Sequence, residues 1–395
     1  MERTDLWIGG KFVEPTGKSY FDDINPSNQK VIAHVAKGTS KDIDLAVEAA
    51  NMAYRSYKNS QAKDREKTLC DAAALVERDR DEYLQLLIDE VGSPIMKASF
   101  EVEYCINAFR AAAGVPRRLT GQTMPLDRPG AFGMSIREPV GVIACITPFN
   151  VPLLKNVKQI AMVVATGNTS VLLPSEFAPQ ITAKFSQTLE EAGLPSGVFN
   201  FVTGDPFEIG DSLTSHPDVA AINFCGSPRI GKHVASIAAK DLKPVTLELG
   251  GKNPLIVLDD ADLDKALEAA TLGIFFFQGQ ACMASSRIIL QKGIAEDFIP
   301  AFKKIASEIK VGDLSDPETA IGPIINEKQI ERVKSHISDA ISKGADVVHG
   351  GVDWIGNCCP PTILSSVSED MSIFREETFG PVTSIYRVDD LDEAV

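Results

Sequence analysis

An α/β fold, a parallel sheet flanked by helices, is predicted by the rhythm of this sequence. From residue 140 onward, short β-rich runs at 140–146, 169–173, 198–202 and 220–224 alternate with helical segments bounded by turn residues. Runs at 255–258 and 287–290 carry the same alternation into a second α/β unit. Composition agrees: 395 residues, 44 % hydrophobic and 24 % charged, describe a core-forming chain of two or three domains. Disordered, collagen-like and fibrous classes are excluded. In a parallel sheet, ligands bind beyond the carboxyl ends of the strands, so the segments after those runs are where function is sought.

The elements follow in order. Residues 6–13 form a β-rich lead. Ser40 is placed to cap a helix through Ile43, Val47, Ala50 and Tyr54, with Asp42 and Asp44 favourable in its first turn. A longer helical region begins near Asp64, where Leu69, Ala73, Val76, Tyr83 and Leu87 recur at helical spacing. Residues 120–139 change character. Gly121, Pro125, Pro129, Gly130 and Gly133 separate short apolar pieces, which predicts a hairpin or arm rather than a core helix.

Charge and cysteine usage narrow the function classes. Lys plus Arg number 39 against 54 Asp plus Glu, a formal net charge of −15. A surface this acidic repels phosphate backbones and anionic lipid, so neither nucleic acid nor membrane is an expected partner. No apolar run is long enough to cross a bilayer, and no signal-type apolar stretch follows the N-terminus. The seven cysteines are spread through the chain, and the adjacent Cys358 and Cys359 lack a nearby His or CxxC partner. Neither a disulfide framework nor a metal site is expected, and the expected compartment is a reducing cytoplasm.

Four segments carry chemistry. Gly226-Ser227-Pro228 directly follows a predicted strand; Ser227 suits an N-cap and Pro228 the first helical position, so a helix N-terminus with its anion-favouring N–H groups opens here. The run to His233 nearly matches a P-loop, but His233 stands where that loop needs a hydroxyl for Mg²⁺. A dinucleotide-binding helix fits better, and an ordinary strand–helix turn is the alternative. Cys282, in Gln278-Gly279-Gln280-Ala281-Cys282, sits where polar residues and Gly279 read as a turn leaving an apolar helix. A nucleophilic thiol there competes with an inert core cysteine. Glu248, between two leucines and before Gly250-Gly251, is a candidate base whose basicity desolvation would raise, or a solvent-facing edge residue. Asn150, between Pro148 and Pro152, is an oxyanion donor or a turn residue.

Taken together and in this order, the chain resembles the aldehyde dehydrogenase superfamily. The likeness rests on Pro148-Phe149-Asn150-Val151-Pro152, Pro174-Ser175-Glu176, Phe224-Cys225-Gly226-Ser227, Glu248-Leu249-Gly250-Gly251-Lys252, Gly279-Gln280-Ala281-Cys282 and Glu376-Glu377-Thr378-Phe379-Gly380-Pro381-Val382. It implies a Rossmann-type cofactor domain (1–119 and 140–248), an α/β catalytic domain (249–395) and a β-hairpin oligomerisation arm (120–139) in a homodimer or homotetramer. It implies Cys282 as nucleophile, Asn150 as oxyanion donor and Glu248 as the base for hydrolysis. Thr147, Phe149, Glu176, Gly226, Ser227, Gly250, Glu377 and Phe379 fall on its cofactor site. The implied reaction takes a small-molecule aldehyde to a carboxylic acid with NAD, through a thiohemiacetal and a thioester on Cys282.

Departures from the family pattern refine these expectations. Leu173 stands where most members carry a Lys for the adenosine ribose, and Glu176 repels a 2′-phosphate, so NAD is expected over NADP. Phe277 replaces a customary Asn, and Gln159 replaces a Lys, which bears on proton handling near Glu248. Residues 390–395 resemble the start of a helix that the family continues into a segment supplying part of the substrate tunnel and a strand of the oligomer interface. Phe149, in the Pro-Phe-Asn variant with no Trp nearby, resembles members acting on aromatic aldehydes; Lys155 and Lys158, one turn apart, point to an anionic semialdehyde or simply a solvated face. The competing reading is a catalytically impaired relative that binds nucleotide or serves as a structural subunit.

Overall fold

A computed structural model describes residues 2–395. The chain divides into two compact units. The first runs to Ile24 and includes Val31–Leu86 and Ser99–Glu248; the second comprises Asn25–Lys30, Leu87–Ala98 and Leu249–Val395.

The first unit is built on a seven-stranded sheet. Its order is Val245–Leu249, Val219–Gly226, Val142–Ile146, Thr169–Leu173, Phe199–Phe201, Leu6–Ile8 and Lys11–Val13. The four strands from Val219–Gly226 to Phe199–Phe201 are mutually parallel, as the alternation predicted. All five residues of Thr169–Leu173 are buried, which is why that strand reads as a continuous run rather than an alternating one. The β-rich lead is an antiparallel hairpin at one edge, Leu6 opposite Val13. From the Val142–Ile146 strand the chain adds neighbours in one direction, then returns to lay Val219–Gly226 on the opposite side. The gap between those two strands is therefore the switch point at which such sheets form their ligand crevice.

Helices follow these strands, and Pro152, Pro179, Pro206 and Pro228 each occupy the first turn of theirs, where the missing N–H costs nothing. Two helical expectations need correction. The first helix, Ser40–Tyr57, takes Thr39 rather than Ser40 as its cap, because the Asp42 carboxylate accepts the Thr39 N–H at 2.8 Å in a capping box. The region from Asp64 is two helices, Ala62–Arg78 and Arg80–Val91, since the backbone leaves the helical region at Asp79. The arm is a two-stranded ribbon, Gln122–Met124 against Gly133–Ser135, with Phe132 and Met134 exposed.

In the second unit a five-stranded sheet runs Pro254–Val257, Arg287–Gln291, Val382–Val388, Thr362–Ser365 and Asp346–His349. The strands are parallel except for the last. One core gathers Ile288, Leu290 and Ile385 against Phe298 and Phe302, and a second gathers Leu364 and Val382 against Val333 and Ile337. No helix among the described residues is long and apolar enough to cross a membrane, and none of their His, Cys, Asp and Glu side chains cluster as metal ligands.

Candidate active site

Within the first unit, the expected cofactor residues gather at the carboxyl ends of adjacent parallel strands. Thr147 and Phe149 follow Val142–Ile146, Glu176 follows Thr169–Leu173, and Gly226 ends Val219–Gly226 with Ser227 after it. Ser227 caps the Pro228–Ala238 helix, its Oγ accepting the Ile230 N–H at 3.4 Å, so the helix N-terminus opens at the switch point. Phe149 meets Phe177 edge-on, ring centroids 6.1 Å apart. Thr147 is buried and its hydroxyl donates to Asn156 Oδ1 at 2.9 Å. Leu173 is also buried, inside the strand end.

Asn150 is 4 % exposed, not a surface turn residue. The helix that follows it, Pro152–Ala165, has no side-chain cap of its own. Instead the buried Glu101 accepts the Leu154 N–H at 3.0 Å and fixes the first turn. That residue was missed in the sequence because the contact spans 53 positions.

Glu248 lies on the outermost strand of the sheet, and its side chain is 54 % exposed. Of the two readings of this residue, the solvent-facing edge position is the one observed. Its Oε2 instead accepts from Lys155 Nζ at 3.4 Å. Lys155 is itself buried, which corrects the solvated-face alternative for the lysine pair; only Lys158 is exposed.

The second unit carries the segment of Cys282, the candidate nucleophile. Phe277, Gln278 and Gly279 are three consecutive residues with positive φ, and they turn the chain sharply out of the Leu263–Phe275 helix. The turn is as predicted, but its glutamines point inward. Gln278 is fully buried and donates to the carbonyls of Gly92 and Pro323, both at 3.0 Å; buried Gln280 accepts the Ile325 N–H. The Lys97 ammonium lies 4.0 Å from the Phe277 ring centroid. Cys282 emerges half-buried, and Asn253 Nδ2 holds its carbonyl at 2.8 Å.

Ala281, beside Cys282, lines one small cleft together with Gly251, Gly279, Ser286, Glu377 and Phe379. Glu377 packs so closely on Gly250 that a Cβ there would collide with both carboxylate oxygens. Arg332 donates to the Glu377 carbonyl at 2.6 and 2.9 Å, and Gln329 donates to those of Thr378 and Phe379 at 2.8 and 3.0 Å. Asn253, Gln329 and Arg332 were not singled out in the sequence. Gln329 and Arg332, three apart on the amphipathic Glu327–Ser342 helix, offered only a generic polar face. In the first unit, the helix N-terminus at the switch point fits the anionic part of a dinucleotide cofactor.

Burial pushes the Lys252 ammonium down to about 8, with Arg287 adding repulsion, while burial raises Glu377. The Lys252 amine has no hydrogen-bond partner among the described residues. A lysine whose folded value lies below its unfolded 10.5 destabilises the fold when charged. That penalty is full below about pH 8 and fades as pH rises to 10.5. Lys252→Met is accordingly expected to stabilise the chain by about 1–3 kcal/mol at pH 7, with the gain shrinking toward pH 10. Urea melts at the two pH values check this; equal gains at both would contradict it.

Comparison with known proteins adds the following. A family model, the aldehyde dehydrogenase family, matches residues 12–395. A salicylaldehyde dehydrogenase of Pseudomonas putida is 38 % identical over 397 residues, covering 100 % of this chain and 82 % of that protein. The NAD+ complex of an aldehyde dehydrogenase from Bacillus cereus superposes with a TM-score of 0.97 at 35 % identity, covering 100 % of this chain and 81 % of that one. An NADP-dependent enzyme of E. coli also superposes at 0.97 with 35 % identity, over 100 % and 82 %.

Proposed function

The chain belongs to the aldehyde dehydrogenase family, and from that premise we propose that it oxidises an aromatic aldehyde to the carboxylic acid with NAD. The observation that carries the reading is the nucleophile segment: a half-buried cysteine on a strained turn, its carbonyl clamped by Asn253, beside a cleft lined by Glu377 and Phe379. The aromatic preference draws on Phe149 and on the salicylaldehyde dehydrogenase relative.

In this mechanism the Cys282 thiolate adds to the aldehyde carbon and Asn150 donates to the resulting oxyanion. The nicotinamide, when bound, accepts the hydride. The thioester left on Cys282 is opened by water: Glu248 takes the proton, the water oxygen bonds to the acyl carbon, and the C–S electron pair returns to sulfur. Glu377 would hold the nicotinamide ribose, Phe379 would pack beside the ring and Ser227 would meet the pyrophosphate. The exposed 120–139 ribbon serves as the oligomerisation arm, which sedimentation of the intact chain tests.

The deciding experiment is NADH formation from NAD and a panel of benzaldehydes, aliphatic aldehydes and semialdehydes. Fastest turnover on a benzaldehyde supports the full proposal. No NADH from a folded, NAD-saturated sample would favour the impaired relative instead. Glu176 opposes a 2′-phosphate, so NADP is expected to give a kcat/KM at least about tenfold lower than NAD, and Glu176→Gln to narrow that ratio. Equal use of both cofactors by the unaltered chain overturns the NAD preference.

A further inference from the structure

The Pro152–Ala165 helix buries polar side chains as well as apolar ones. Lys155, Asn156 and Gln159 are each 7 % exposed or less. Lys155 and Gln159 are four apart and share a face. Gln159 reaches the Ile146 carbonyl at 3.4 Å, and its own amide oxygen has no partner among the described residues. The positive charge on this face is therefore Lys155, and its Nζ stands 3.4 Å from Glu248 Oε2.

The two partners differ in freedom. The lysine side chain is 9 % exposed and its position is set by packing, whereas the glutamate side chain is 54 % exposed on an outermost strand. A carboxylate so exposed samples several rotamers, yet proton abstraction needs one lone pair aimed at one water. We propose that Lys155 is the positioning residue of the hydrolytic step: its ammonium holds Glu248 Oε2 and leaves Oε1 to take the water proton. This rests on the dehydrogenase reading above. Lys155 gives up no proton and touches no reacting atom, so its effect falls on thioester hydrolysis and not on hydride transfer, which precedes it.

Stopped-flow NADH formation separates the two steps. Lys155→Met is expected to lower steady-state kcat by about 10- to 100-fold while the first turnover stays within about threefold of the unaltered rate. A burst approaching one NADH per Cys282 then appears as thioester accumulates. Lys155→Arg, which keeps a donor, is expected to recover most of the steady-state rate. Cofactor-free hydrolysis of the acetyl-enzyme formed from 4-nitrophenyl acetate gives a second readout, and the Met variant is expected to deacylate at least about tenfold more slowly. Lys155→Gln replaces the Met variant if that one fails to fold. Equal loss in the first turnover and the steady state, or unchanged deacylation, overturns the proposal while leaving Cys282-dependent NADH formation intact. Absence of NADH from the unaltered chain overturns both readings together.

Discussion

Cys282→Ala is expected to abolish NADH formation, lowering kcat by about 10⁴-fold or more, because no second thiol is placed to substitute. Among the seven cysteines only Cys70 and Cys282 are not buried. Burial pushes Cys145 up to about 12 and Cys358 up to about 11, and it raises Cys359 further. Thiols held that high carry almost no thiolate at neutral pH and are poor nucleophiles. Cys70 is exposed on the Ala62–Arg78 helix. Brief alkylation of the native chain is therefore expected to label these two cysteines, with loss of activity tracking Cys282 alone. Cys70→Ser, expected to keep full activity, simplifies the count. Retained turnover in the Cys282→Ala protein would remove the thioester mechanism, and with it the role assigned to Lys155.

The parallel sheet was legible because its strands are covered on both faces and so read as unbroken apolar runs, as at Thr169–Leu173. The helix starts were legible because proline and capping residues mark them locally. Positions whose meaning depends on distant partners were not. Lys155 and Lys158 look alike in a sequence, and only packing around the whole Pro152–Ala165 helix separates the buried one from the exposed one. Gln278 and Gln280 suggested an exposed turn, but their amides satisfy backbone groups at Gly92, Pro323 and Ile325, as much as 186 residues away. Glu248 between its two leucines allowed either a desolvated base or a solvent-facing edge residue, and the outermost strand leaves its carboxylate outside. Hydrogen bonds from Asn253 and Arg332 to main-chain carbonyls leave no sequence signature, since any polar residue at those positions would read the same.

Gly279→Ala is expected to destabilise the chain by about 3 kcal/mol or more and to cut kcat/KM by about 100-fold or more. Its φ is +65°, a conformation that disfavours any side chain by about 1–2 kcal/mol. A Cβ there would also overlap the Gly380 carbonyl oxygen and lie 2.5 Å from its carbon. Main chain cannot rotate aside as a side chain can, so either the nucleophile turn or the loop ending at Gly380 must move. Both line the same cleft, with Cys282 three residues along one and Phe379 next to the other. Little slack is available, because Phe277 and Gln278 already hold positive φ without being glycine. Their strain is offset by the buried Phe277 ring under Lys97 and by the two carbonyl bonds of Gln278. Gly344→Ala supplies the comparison: its φ is +98° but nothing lies within 4 Å of the added carbon. It is expected to lose about 1 kcal/mol and no activity. Urea melts and kcat/KM on both variants separate backbone strain from close approach. Equal destabilisation of the two would mean that the Gly380 contact relaxes freely and that the turn is not held where the chemistry needs it.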